Sequence, residues 1–362
     1  MSLSRRHLDL PARGRLRSVT MRFSSLAAVL VAVLVAGCSD DPENLLDTLS
    51  FSRSPSEDAV VIYVSGAWTE ETGQPRELFA VDADGTEVER LTSCTQQSNP
   101  CDYLQVAPSS NRDRIVAVRG TIEGDPLATA LYFVDLGRSV ETIITPARRV
   151  QGADWAFDDS FLVYSTGDVE NLFGVRPNGD DNETLTQTPD QRERSPRIDR
   201  SLRGAAYEEF EQTPGKSGIF VFFFQGGEGG DNPSARFTDG GPGSEVLPGT
   251  PYIVGSDASP AFAPDSQQMV FRRLTGTGNG GLGTWDLYLV ATQLEADPEL
   301  LVGGGDVYRG APDWNPTGIV FVETDSASGE SRLVVIQPDG SGRQVLHSED
   351  AGYRMGAPRW LR

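Results

Sequence analysis

The chain has 362 residues and a formal net charge of −21, because 52 acidic residues outnumber 31 basic ones. So strong a negative charge argues against nucleic acid or anionic lipid headgroups as partners. With two histidines and three cysteines in the whole chain, the sequence also offers few ligands for a zinc site.

An apolar run near the start, residues 23–37, is preceded by arginines and is too short for a comfortable membrane span. This pattern is typical of the hydrophobic region of a signal peptide. The run ends in Leu34-Val35-Ala36-Gly37-Cys38, which resembles the bacterial lipobox. The resemblance implies that Cys38 is lipidated and becomes the first residue of the mature protein. Whether translation starts at Met1 or at Met21 stays open.

Residues 39–57 are acidic and rich in serine, with little periodicity. We expect a flexible tether with a typical reach of about 25 Å. Ser39 would be the second mature residue, and its resemblance to the lipoprotein sorting rule favours the outer membrane in a Gram-negative host. The choice between inner and outer membrane, and between their leaflets, stays open.

The remainder of the chain contains six copies of one sequence repeat, and each copy begins with a predicted strand that contains proline or an aromatic residue. Equivalent positions in the copies are Val106, Trp155, Ile198, Phe262, Trp314 and Trp360. Their spacing is roughly 49, 43, 64, 52 and 46 residues. Repeats of this size with several short strands are typical of a β-propeller.

Each repeat is predicted to form four antiparallel strands, A to D. In the third repeat these are residues 153–157, 161–165, 171–175 and 183–186. Asn178-Gly179 between the last two indicates a hairpin turn, because both positions accept positive φ.

The two ends of the repeat region complement each other. The first repeat starts with strand B, Ala59–Val64, and the last residues, Ala357–Arg362, read as a strand A with nothing after it. We therefore predict an all-β, six-bladed propeller whose ring closes when the C-terminal strand completes the N-terminal blade, which removes two sheet edges. The predicted organisation is a signal peptide at 1–37, the lipidated cysteine and tether at 38–57, and the propeller at 58–362.

The repeat resembles that of TolB-type propellers of the bacterial envelope. The resemblance rests on Leu78-Phe79-Ala80-Val81-Asp82-Ala83-Asp84-Gly85, on Arg90-Leu91-Thr92 and on the segment Ser259–Ser266. It covers roughly residues 58–362 and implies a fold more than an activity. TolB itself carries a small α/β domain before its propeller. Because about 20 residues separate the export signal from the first strand here, we expect that domain to be missing.

The two other cysteines, Cys94 and Cys101, lie seven residues apart. In an oxidising envelope such a pair is expected to form a disulfide that closes a small loop. The competing interpretation is a metal site, but no histidine or further cysteine lies nearby.

A catalytic set is hard to assemble from the sequence. The mature chain contains one histidine, His347, and no Gly-x-Ser-x-Gly nucleophile motif. The segment Thr213–Ser217 imitates the end of a phosphate loop, but position 210 is phenylalanine instead of the required glycine. We therefore predict that the protein is not an enzyme and needs no cofactor; a loosely bound divalent cation is neither predicted nor excluded.

The two faces of the predicted ring differ in their connections. The A–B and C–D turns are mostly short, whereas the B–C and D–A connections are long, and one of them contains Trp68. Variable loops on a rigid scaffold often carry function, so Trp68 is our candidate for a binding face. We predict an envelope lipoprotein that serves as a protein–protein interaction scaffold in the periplasm, at the outer membrane or at the cell surface. The alternatives are a glycan lyase or hydrolase that uses carboxylates at the channel mouth, and a carbohydrate- or peptidoglycan-binding propeller.

Overall fold

A computed structural model places most of the repeat region. It describes residues 55–67, 76–92, 101–121, 129–135, 140–145, 149–166, 170–188, 190–201, 203–210, 215–224, 234–278 and 281–361. The predicted anchor Cys38, the tether up to residue 54, Trp68 and Cys94 lie outside these residues, as does the side chain of Cys101. No helix occurs in the described ranges, so none there could span a membrane.

Within the described residues, 25 strands form six antiparallel sheets. We number the sheets as blades in chain order and list their strands from the innermost outward. Blade 1 contains β25 (Tyr353–Trp360), β1 (Ala59–Ala67), β2 (Glu77–Asp82) and β3 (Val88–Arg90); blade 2 contains β4 (Cys101–Pro108), β5 (Arg114–Thr121), β6 (Thr129–Asp135) and β7 (Val140–Thr145). Blade 3 contains β8 (Gly152–Trp155), β9 (Leu162–Thr166), β10 (Asn171–Val175) and β11 (Glu183–Thr184); blade 4 contains β12 (Arg192–Ile198), β13 (Gly204–Phe210), β14 (Ser217–Phe223) and β15 (Ser234–Arg236). Blade 5 contains β16 (Asp257–Phe262), β17 (Gln268–Gly276), β18 (Thr284–Ala291) and β19 (Glu299–Val302); blade 6 contains β20 (Val307–Arg309), β21 (Asp313–Asn315), β22 (Gly318–Asp325), β23 (Ser331–Ile336) and β24 (Gln344–Glu349). The predicted six-bladed propeller is confirmed.

The predicted ring closure is also confirmed. Strand β25 pairs antiparallel with β1, with Trp360 opposite Val61 and Tyr353 opposite Ala67. The N–H of Leu361 adds a bond of 2.8 Å to the carbonyl of Val60. The C-terminal strand thus becomes strand A of blade 1, and the sheet gains an inner strand where it would otherwise present an edge.

Blade 6 departs from the predicted four strands. Its strand A is split into β20 and β21, and both pair with β22. The break falls at Gly310-Ala311-Pro312, where the proline has no N–H to donate to the ladder.

The repeated aromatic position joins neighbouring blades. The indole N–H of Trp155 in blade 3 donates to the carbonyl of Ala107 in blade 2 at 2.9 Å. The indole N–H of Trp360 in blade 1 likewise donates to the carbonyl of Gly318 in blade 6 at 3.1 Å. Both rings are buried, so the aromatic residue of the repeat fills the space between blades and also satisfies its polar atom.

The threonine that ends strand D has a structural role as well. Thr92, Thr186 and Thr238 are buried, and each hydroxyl accepts the N–H of a residue in strand C of its own blade at 2.9 to 3.0 Å. The recurrent threonine therefore satisfies a backbone donor at the point where the outer strand ends.

Candidate functional site

The main cavity lies in the central channel and has a volume of about 360 Å³. It opens toward the B–C and D–A connections, which we call the cavity face; the opposite face, with the A–B and C–D turns, is the turn face. The starts of the inner strands contribute Gln105, Gln151, Arg194 and Arg354 to its wall, and Leu282 comes from the B–C connection of blade 5. A cavity of this size is within the usual range for small-ligand sites.

A ring of small residues forms the floor of the cavity. Ser195, Ser259 and Ala357 have positive φ angles of 51°, 52° and 46°, and each directly precedes a proline. The pairing of their strands shifts register at these positions, which identifies β-bulges. A Cβ on Gly152 would lie 3.0 Å from the Cα of Ser195, so the ring is closely packed. The proline of the repeat therefore marks where strand A bends toward the axis.

Two arginines cross the channel on the turn-face side of this ring. The guanidinium of Arg359 in blade 1 bonds to the carboxylate of Asp154 in blade 3 and lies 3.5 Å from that of Asp313 in blade 6. Arg200 of blade 4 donates to the carbonyl of Trp314 in blade 6 at 3.3 Å. The bonds from Arg359 to Asp154 and from Arg200 to Trp314 join blades that are not neighbours, so both arginine side chains extend across the channel.

Arginines and tyrosines on one wall of the cavity pack against each other and against Trp285 and Phe210, two buried rings that are not among its described lining residues. The guanidinium of Arg272 lies 4.2 Å from the ring centre of Trp285 and 5.6 Å from that of Tyr308. The ring of Tyr252 meets that of Trp285 edge-on, with centres 5.1 Å apart. Arg194 continues the series over Phe210 at 5.3 Å. Rings and cations in contact hold each other in place, so this wall is preformed.

Tyr252 reaches the wall from the D–A connection between blades 4 and 5. An isolated bridge joins it to Gly215, and a second bridge joins Val246 to Ile253. Gly255 has a φ of 96°, and a Cβ there would lie 2.3 Å from the carbonyl oxygen of Gly241, so a larger residue would displace the connection. The long insertion is thus folded against the cavity face.

Positive charge predominates on the described lining of the cavity, where Arg76, Arg194, Arg272 and Arg354 accompany one carboxylate, Glu208. Two of these arginines have carboxylate partners in hydrogen-bond contact. Arg76 forms bonds of 2.8 and 2.7 Å to Asp102, and Arg194 binds Glu170 through both carboxylate oxygens.

Glu208 is held by neutral donors. Its two oxygens accept the hydroxyl of Tyr252 at 3.0 Å and the N–H of Ser259 at 3.2 Å. Burial raises the pKa of Glu208, although Arg194 and Arg272 oppose the shift. Burial lowers the pKa of Arg272, but the nearby hydroxyls of Tyr308 and Tyr252 and the carboxylate of Glu208 raise it by more, so this guanidinium stays charged.

The one histidine of the predicted mature chain is not among the described lining residues of this cavity. His347 lies on β24 at the outside of blade 6, where its Nε2 is 3.3 Å from a carboxylate oxygen of Glu349. Cys38, Trp68 and Cys94 lie outside the described residues, so the anchor, the disulfide and that binding-face candidate stay predictions. In the part of the chain that the structure describes, no three His, Cys, Asp or Glu side chains are arranged to hold a metal ion. Sequence reasoning missed Arg272 and Tyr252; the pair Arg272-Arg273 inside an apolar strand was the available signal.

Several solved structures share this fold. TolB from Acinetobacter baumannii is 16% identical, with a TM-score of 0.61 over 85% of this chain and 68% of its own. A candidate TolB from Agrobacterium tumefaciens is 11% identical, with a TM-score of 0.56 over 84% of this chain and 99% of its own. A chain of a nidogen/laminin complex is 9% identical, with a TM-score of 0.58 over 84% of this chain and 98% of its own. No protein-family model and no curated protein sequence matches the chain. The similarity therefore establishes a TolB-like propeller fold.

Proposed function

We propose that this protein is a lipid-anchored component of the bacterial envelope whose propeller binds a protein partner on the cavity face and performs no chemistry. The observation that carries the proposal is the cavity in the central channel, whose described lining includes Tyr252, Tyr308, Arg194 and Arg272. Tyrosine and arginine are among the side chains that contribute most binding energy in protein interfaces. Support for an envelope location comes from the lipobox-like sequence at Cys38 and from the TolB-like fold.

The enzyme alternative is less well supported by the cavity. Most glycoside hydrolases need two carboxyl groups on either side of the bond that they cleave. Among the described lining residues Glu208 is the one carboxylate, and its oxygens are occupied by Tyr252 and Ser259. A scaffold that binds without reacting needs no such pair.

Crosslinking from the two faces tests the binding proposal. Tyr353 at the start of β25 on the cavity face and Phe157 on the turn face are both aromatic and are 47% and 46% exposed. With a photoreactive phenylalanine at either position, we expect irradiated envelopes to yield a discrete protein adduct from position 353 and none from position 157. Adducts from position 157 alone, or from neither position, would contradict the proposal.

The anchor is tested separately through Cys38→Ala. The alanine has no thiol to accept a diacylglycerol, so we expect loss of incorporated alkyne fatty acid and release of the protein from the membrane fraction. Cys94→Ala serves as the matched control and should keep both the label and the membrane fractionation. If Cys38→Ala is still labelled, the protein is not anchored at this residue.

A further inference from the structure

We infer that the cavity is a binding site for a carboxylate group, which the guanidinium of Arg272 holds against an aromatic wall. This inference goes beyond the proposed scaffold function, because it assigns a ligand chemistry to one residue of the cavity.

Arg272 is placed to bind a ligand. It lies on β17, lines the cavity, and has its planar group fixed over Trp285. Its Nη1 donates to the hydroxyl of Tyr308 at 3.0 Å. Its Nε is buried, and among the described residues no acceptor lies within hydrogen-bond distance of it. A guanidinium carries five N–H donors, and the one hydrogen bond described for Arg272 is that to Tyr308, so a ligand in the cavity would bind through its terminal nitrogens.

Other arginines near the axis differ in this respect. Arg76 and Arg194 are each bonded to a carboxylate through two oxygens, and Arg273, the next residue along β17, forms the same kind of pair with Asp257. Glu208 interacts with Arg272 through its charge, but its described hydrogen bonds come from other donors. Arg272 differs from these three arginines because it has no hydrogen-bonded carboxylate among the described residues.

The surroundings define the class of ligand. A planar guanidinium matches carboxylate and phosphate groups through two parallel bonds. Glu208 on the same cavity and the net charge of −21 oppose a doubly charged group more than a singly charged one, which favours carboxylate over phosphate. Tyr252, Leu282 and Met355 add apolar surface to the lining, so the body of the ligand is flat or apolar. Either a free small acid or the chain end of a protein partner presents this chemistry.

Calorimetric titration of the full-length lipoprotein tests the inference with paired probes. The probes are 3-phenylpropionate and its amide, and the peptide Gly-Gly-Phe with a free or an amidated C-terminus. We expect the free acids to bind and the amides to bind about 10- to 100-fold more weakly. This is the loss of affinity expected when a hydrogen bond to a charged group is removed. Binding of both acids identifies a small-acid site, and binding of the peptide acid alone identifies a partner's chain end; both outcomes support the inference.

Arg272→Gln should weaken acid binding by a similar factor. Arg332→Gln removes the same charge from a pair with Glu330 that lies outside the cavity lining, and it should leave affinity unchanged. The comparison of acid with amide uses the wild-type protein, so it tests carboxylate binding even if Arg272→Gln fails to fold. Equal binding of acid and amide, no binding of either acid, or wild-type affinity in a folded Arg272→Gln protein would overturn the inference. The crosslinking experiment at position 353 does not depend on Arg272. If a protein adduct still forms there while the carboxylate titrations are negative, the carboxylate site is wrong and the proposed scaffold function still stands.

Discussion

Deletion of residues 357–362 should unfold the propeller or leave it aggregated at ambient temperature. The deletion removes half of β25, including the buried Trp360, its bond to Gly318 and the bond from its N–H to Asp313. Truncation of a buried tryptophan alone costs about 3–5 kcal/mol. A whole domain is stable by about 5–15 kcal/mol. The deletion also exposes the edge of β1, which favours pairing with other chains.

Thermal melting followed by circular dichroism measures this effect. Deletion of residues 40–53, which removes more than twice as many residues from the predicted tether, is the control and should leave the melting temperature unchanged. A six-residue C-terminal deletion that melts like the full-length protein would mean that β25 contributes little to ring closure.

Substitution of Asp154 by alanine should strongly destabilise the propeller. The carboxylate of Asp154 accepts the guanidinium of Arg359 and the N–H of Ile198, and all of these groups are buried. Removing one partner of a buried ion pair costs about 3–5 kcal/mol because the other charge stays without compensation. Asp313, 3.5 Å from Arg359, still compensates part of the charge, so we expect the lower end of this range. Denaturant unfolding at neutral pH gives the value.

A double-mutant cycle separates the pair from its surroundings. Arg359→Met should also destabilise the protein, whereas the combination of Asp154→Ala with Arg359→Met should cost less than the two single changes added together. Glu330→Ala breaks an exposed pair with Arg332, which solvent screens, and should leave stability almost unchanged. If the losses of stability from Asp154→Ala and Arg359→Met add to within about 0.5 kcal/mol in the double variant, the two side chains do not stabilise each other.

The two predictions concern the same property, which is the integrity of the ring. Trp360 fixes blade 1 to blade 6, and Arg359 fixes blade 1 to blade 3. The cavity wall combines residues of blades 4, 5 and 6, including Glu208, Arg272 and Tyr308. Its geometry therefore depends on ring closure at blade 1, because the blades keep their relative positions while the ring stays closed.

The sequence by itself determined the blades and their number. Trp155 and Trp360 recur at equivalent points of the repeat, and each donates its indole N–H to the preceding blade of the ring. Hairpin turns such as Asn178-Gly179 and threonines such as Thr186 likewise act within one blade. These features are local, since each depends on residues within one repeat or the next, so the period of the sequence reveals them.

The tertiary structure alone decided where the cavity lies and what lines it. Glu208, Tyr252 and Arg272 come from a strand of blade 4, an insertion and a strand of blade 5, and they share no motif. Arg359 and Asp154, which meet across the channel, are 205 residues apart in the chain. Such contacts arise because closing six blades into a ring brings their inner strands to one axis. Repetition in the sequence predicts the ring, but the side chains that meet at its centre differ from blade to blade and follow no period.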